Sequence, residues 1–168
     1  MPEIELFPVC CTAEVPASTV NKLLDDAHAG SERLAPGSPR VLAVATSAAE
    51  AQAPTTATLP PVQQSAPPFP NQTAEHVAQH VGSAAYFVLL DERSVTDDTA
   101  VLAARRPGGA VDTVRVAFGA VQHLLASLDM ATIGFAEIQS IAEANGGVYG
   151  GGGAPRQGGP APRKRLGG

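Results

Sequence analysis

The sequence predicts an α/β fold: a single, mostly parallel sheet with an antiparallel hairpin at its edge, about four covering helices and a disordered C-terminal tail. Three observations predict it. Near-continuous apolar runs at Val41-Leu42-Ala43-Val44-Ala45 and Tyr86-Phe87-Val88-Leu89-Leu90 suit strands buried on both faces. Segments of helical apolar spacing alternate with the strands in the first 90 residues, as the crossovers of a parallel sheet require. Residues 99–118 then hold two strand-like runs on either side of Pro107-Gly108-Gly109, the pattern of a hairpin.

Each element follows in order. Glu3 to Cys11 reads as the first strand. Ser18 is the expected cap of a helix to Ala29, with Val20, Leu23, Leu24 and Ala27 on one face and Gly30 as its stop. Arg40 to Thr46 is the second strand, in the middle of the sheet. Ala53 to Pro70 holds six prolines among Thr, Ala, Ser and Gln, a composition that builds neither helix nor sheet and reads as a flexible surface loop. Thr73 is placed to cap a short helix to Val81, where Ala74, Val77, Ala78 and Val81 share a face. Tyr86 to Leu90 is the third strand, and Thr99 to Ala104 with Thr113 to Phe118 forms the edge hairpin, Val114, Val116 and Phe118 alternating with Arg115 and Ala117. Val121, Leu124, Leu125 and Leu128 mark one closing helix; Phe135, Ile138, Ile141 and Ala142 mark another that ends at Asn145-Gly146. No internal repeat is present. The chain thus divides into one α/β domain, residues 1–146, containing the proline-rich loop 53–70, and a glycine-rich basic tail, residues 147–168.

Composition narrows the function. The net charge of −5 hides an asymmetry: residues 1–146 carry −9 and residues 147–168 carry +4, through Arg156, Arg163, Lys164 and Arg165. An acidic body repels nucleic acid and anionic lipid, which leaves only weak, salt-dependent contact through the tail. The longest apolar run, Ala84 to Leu90, is far short of the roughly 20 residues that span a bilayer. Met1-Pro2-Glu3-Ile4-Glu5 lacks the basic start of a secretory signal, so the chain reads as cytoplasmic, where the sequon Asn71-Gln72-Thr73 has no role. Cys10 and Cys11 are the only cysteines, and as sequence neighbours they build neither a disulfide framework nor a multi-cysteine zinc site.

The strand ends are the best place for a site, because ligands of open parallel sheets gather beyond the carboxyl ends. There Cys10, Cys11 and Thr12 would neighbour Thr46, Ser47, Asp91 and Arg93. The plainer reading of Asp91-Glu92-Arg93-Ser94 is an acidic turn that breaks the strand and caps the next element. Receiver-type phosphoryl transfer would need an acidic pair after the first strand and a late lysine, yet only Lys22 and Lys164 occur. Gly108-Gly109 and Gly146-Gly147 do not stand between a strand and a helix as a phosphate loop must, and no Gly-x-Ser-x-Gly elbow exists. His76 and His80 have the i, i+4 spacing of a metal pair, but angular counting turns both away from the apolar face toward solvent, as it does His123. No metal or other cofactor is therefore expected. The terminal Gly167-Gly168 after Arg163-Lys164-Arg165-Leu166 is similar to the end of ubiquitin-like modifiers, but a glycine-biased tail ends so by composition, and a β-grasp begins with a hairpin.

Four stretches carry a resemblance: Tyr86-Phe87-Val88-Leu89-Leu90-Asp91-Glu92-Arg93, Val114-Arg115-Val116, Leu128-Asp129-Met130-Ala131-Thr132-Ile133-Gly134-Phe135 and Asn145-Gly146-Gly147-Val148-Tyr149-Gly150. Through them residues 84 to about 150 resemble the C-terminal half of a family of small α/β domains of unknown function found in actinobacteria and fungi. The chain departs from that pattern at Thr132-Ile133-Gly134, where the family has a more polar step, and in its glycine tail. The resemblance implies the fold and no activity. The expectation is a non-catalytic interaction or small-ligand-binding module, its partner a protein or a small molecule. The alternative is a small enzyme using Asp91 near Cys10 or Cys11, and a remote one is a modifier acting through Gly167-Gly168.

Overall fold

A computed structural model of the chain describes residues 5–64 and 66–150. In chain order the elements are β1 (Phe7–Cys11), α1 (Ala17–Leu34), β2 (Leu42–Val44), α2 (Ala48–Gln52), α3 (Ala74–Ala78), β3 (Tyr86–Leu90), α4 (Glu92–Asp97), β4 (Thr99–Arg105), β5 (Val111–Ala117), α5 (Phe118–Asp129), α6 (Phe135–Ala144) and β6 (Val148–Tyr149). One sheet holds all six strands in the order β2-β1-β3-β4-β5-β6, so β2, expected in the middle of the sheet, stands at its edge, because β3 joins the other side of β1. β1 pairs in parallel with β2 and β3, and β5 with β6, while β4 runs antiparallel to both neighbours. Five strands therefore point one way, and the mostly parallel sheet with its hairpin is as the sequence predicts. Among the described residues no helix is long and apolar enough to cross a membrane.

Side chains alternate across the sheet and divide the core in two. Val9, Val88, Leu90, Leu102 and Val116 face α1, α5 and α6 in the larger cluster. Cys10, Phe87, Leu89 and Ala103 face the other way, toward Val77, Ala78 and Phe69.

Four further differences from the sequence reading have physical causes. The four expected helices are joined by two short ones: α2, capped by the Ser47 side chain, and α4, where the predicted acidic turn winds into a helix capped by Asp91. The hairpin is not the outermost pair, because Gly146 and Gly147, at φ +76° and +95°, turn the chain back and lay β6 along β5. Val148 and Tyr149, which fall in the expected tail, thus belong to the sheet; residues 151–168 of that tail, Gly167-Gly168 included, lie outside the described residues, as do Glu3 and Ile4 of the expected first strand.

The third difference is at the start of α1. Pro16, not Ser18, precedes its first turn and has no side chain to cap it. The Ala17 N–H donates instead to Gln64 Oε1 at 2.7 Å, and Gln64 Nε2 donates to the Val15 carbonyl at 3.1 Å. A glutamine from the proline-rich stretch thereby satisfies a backbone donor that the helix leaves open.

The fourth is Gly30, which does not stop α1; the helix runs on to Leu34. A Cβ added at Gly30 would lie 1.9 Å from the Gly119 carbonyl oxygen in α5. The missing side chain is used for close approach of two helices rather than for chain termination. At Gly119 itself a Cβ would meet nothing nearer than 3.8 Å.

This asymmetry is testable by urea unfolding. Gly30→Ala gains about 1 kcal/mol of helix propensity but forces α1 and α5 apart, and is expected to lose about 2–3 kcal/mol net. Gly119→Ala is expected to stay within about 0.5 kcal/mol of the parent or to rise. Equal stability of the parent and the Gly30 variant would disprove the contact.

Candidate functional site

The proline-rich stretch has neither helix nor strand between Ala53 and Pro70, yet it is bonded to the body along its length. Thr58 N–H donates to the Leu42 carbonyl at 2.9 Å and Thr58 Oγ1 accepts the Val44 N–H at 2.7 Å, covering the outer edge of β2. Farther on, Val62 N–H donates to Asn21 Oδ1 at 2.8 Å, and Asn71 N–H to the Thr12 carbonyl at 2.8 Å. Phe69, 4% exposed, plugs the smaller core cluster.

Between this strap and the carboxyl ends of β1 and β2 lies a cavity of about 160 Å³. Its floor is Cys11, Val44, Ala45 and Thr46; its inner wall is Val15, Ala17 and Val20; its roof is Thr58, Val62, Gln63 and Pro68. Among the described residues no lining side chain is charged. The volume holds a ring of about six heavy atoms.

The seven residues expected at this end separate into distinct surroundings. Cys11 and Thr46 line the cavity. Cys10 is fully buried on the opposite face, since neighbours on a strand point opposite ways. Thr12 bonds to the Leu90 carbonyl through its N–H at 2.9 Å, and its hydroxyl donates to the same oxygen at 3.4 Å. Ser47 caps α2, and Arg93 makes an exposed ion pair with Asp97.

Asp91 joins a separate polar centre. Its carboxylate receives Arg115 Nη2 on one oxygen at 2.5 Å and Nη1 on the other at 3.2 Å, and Nη1 also donates to Thr99 Oγ1 at 3.0 Å. The pairing follows from register, because Leu89, Val101 and Arg115 stand side by side across three strands. Ser94, wholly buried, accepts the Asp91 N–H and returns its own N–H to Asp91 Oδ1, closing a capping box. Burial alone would raise the Asp91 pKa; the hydrogen bonds and charge of Arg115, with Ser94, outweigh it and hold the carboxyl below its ordinary range. Sequence reasoning missed Arg115, although a lone charge between Val114 and Val116 is a signal of this kind.

The thiols are held in their neutral form. Burial, with Cys11 beside it, pushes Cys10 up to about 12, and burial pushes Cys11 up to about 11. A pKa near 11 leaves roughly one thiolate in ten thousand at pH 7, too little for a nucleophile.

The histidines are placed differently from the sequence reading. His76 and His80 are half-buried rather than turned fully to solvent; their ring centroids lie 4.9 Å apart and 6.5 and 5.5 Å from Phe69, which the strap brings over them. His123 is half-buried as well, and burial, then Arg33, lowers its pKa. Among the described residues no three His, Cys, Asp or Glu side chains are placed to hold a metal ion. A wider, open cleft of about 750 Å³ lies at the amino ends of the strands; of its charged lining residues, Arg40 is directed to the Leu24 carbonyl and Asp25.

A family model described as a domain of unknown function, DUF6924, matches residues 40–152. The match starts just before β2 and takes in everything through β6, so it begins well ahead of residue 84; β1 and α1 lie before it. No curated protein and no solved structure matches the chain.

Two measurements check the site. With the Cys11 thiol raised from 9.0 to about 11, thiol labelling of the folded chain at pH 8 is expected to run about 100-fold or more slower than in urea, and a fast-reacting folded thiol would refute the burial. Asp91→Asn keeps a competent helix cap but leaves Arg115 without its countercharge, at an expected cost of about 1–3 kcal/mol at pH 7. Because the folded pKa of Asp91 is depressed, its contribution is complete above the ordinary value of 3.8 and is lost as pH falls through the lower folded value. The stability gap between parent and variant should therefore close below pH 3.8. A gap that persists or widens there would refute the pairing.

Proposed function

The chain belongs to the DUF6924 family, and we propose that it is a non-catalytic module that binds a small molecule in the cavity under the proline-rich strap. The observation that carries this reading is a partly enclosed, uncharged cavity at the carboxyl ends of β1 and β2, the end of an open parallel sheet at which ligands gather. Its walls come from three separate parts of the chain: the turn after β1, the start of α1 and the strap. A packing void in an interior is lined by whatever happens to meet there; here polar strap atoms at Thr58, Val62 and Gln64 hold the roof in place over it.

The enzyme reading, joining Asp91 to Cys10 or Cys11, has less to support it. Asp91 is neutralised by Arg115 and spent on capping α4, it extends from the sheet face opposite to Cys11, and both thiols are protonated at neutral pH. General acid–base or nucleophilic catalysis needs two such groups within reach of one reacting atom.

A thermal-shift screen of small molecules against the full chain tests the proposal. A ligand at a hundredfold excess over its Kd adds about 2.7 kcal/mol, or roughly 5–10 °C in Tm for a chain of this size. Val20→Phe and Val62→Phe, filling the cavity from opposite walls, should abolish that shift. Shifts that survive in both variants place the binding elsewhere and overturn the proposal.

A further inference from the structure

Resting on that reading, we infer that the ligand is an electrically neutral, mostly apolar molecule of about six to eight heavy atoms that offers a hydrogen-bond acceptor to the strap. Three features define the class. Val15, Val20, Val44 and Val62 supply the contact surface, and among the described residues no Lys, Arg, Asp, Glu or His reaches the lining. A carboxylate or ammonium entering there would give up its hydration without a countercharge. The Cys11 thiol on the floor keeps its proton, so it adds no charge to compensate.

Few polar side chains reach the lining: Cys11 and Thr46 in the floor, Thr58 and Gln63 in the strap. Thr46 directs its hydroxyl to Glu50 Oε1 at 2.5 Å, which commits its proton. Thr58 Oγ1 accepts the Val44 N–H at 2.7 Å, and this acceptance leaves the hydroxyl's own proton to donate. A carbonyl or hydroxyl oxygen on the ligand satisfies that donor, while its hydrocarbon body lies against the valines. Volume sets the upper limit: about 160 Å³ excludes nucleotides, flavins and other cofactors of drug size, whose sites occupy about 300–1,000 Å³.

Three probes of one shape separate the possibilities: cyclohexanone, cyclohexanecarboxylate and cyclohexylammonium, each titrated into the full chain and followed by ligand-observed NMR. Cyclohexanone is expected to bind at least tenfold more tightly than either ion, and Val20→Phe and Val62→Phe are each expected to weaken it at least tenfold. An ion that binds as tightly as the ketone, and loses binding in both variants, overturns the neutral class while leaving the cavity as the binding site. If nothing binds in a way that either variant alters, neither with these probes nor in the wider screen, the class and the binding-module reading both fall.

Discussion

The structure depends on how closely α1 can approach α5. α1 comes from the first 34 residues and α5 from beyond residue 117, and both lie over the same face of the sheet. Their backbones meet where Gly30 stands against the Gly119 carbonyl, a distance no side chain would allow. That contact fixes how near α1 lies to α5, and the first turn of the same helix is the inner wall of the cavity through Ala17 and Val20. A helix displaced outward by even one methyl group would change the cavity's shape, since packed interiors transmit such shifts rather than absorb them.

The second determinant is polar. A stretch with six prolines has little of its own to hold it in place: proline lacks an N–H, and the surrounding Thr, Ala and Gln bury little apolar surface. Its order comes from bonds to groups the body leaves unsatisfied, namely the outer edge of β2, the first N–H of α1 and the Asn21 side chain. Each such bond is worth only about 1 kcal/mol net, but leaving its buried partner unpaired costs more. The strap thus serves two ends at once. It covers an edge strand that would otherwise be open to pairing, and it roofs the space beyond β1 and β2.

The charged groups at this end of the sheet serve architecture. Asp91 stops β3, caps α4 and fixes Arg115 across two strands, so one carboxylate ties three elements together. The same commitment removes it from chemistry, because a carboxylate already bonded by a guanidinium and a buried serine is a poor proton acceptor. Burial does the corresponding work on the two cysteines. What remains at the carboxyl ends is an uncharged space, and recognition there rests on shape and on the few polar groups of the strap.

Much of the fold is legible in the sequence. The apolar runs of β2 and β3, the alternation of β5, the Thr73 cap of α3 and the Asn145 end of α6 each express a periodicity or a capping preference confined to a dozen residues. The site is legible only as a location: Cys11 and Thr46 are in the cavity, while Val15, Val20, Thr58 and Val62 carry no local mark of it. Gly30 reads as a helix stop, Gln64 as loop and His76 and His80 as solvent-facing for the same reason. By itself the sequence determined most of the segments that form helices and strands, though not the short α2, α4 and β6, because backbone geometry and side-chain alternation act over neighbours in the chain. Tertiary structure alone decided that Gly30 would meet Gly119, that Gln64 would cap α1 and that Asp91 would turn to Arg115 instead of Cys11. Those outcomes depend on distances between residues far apart in sequence, and only the assembled sheet sets them.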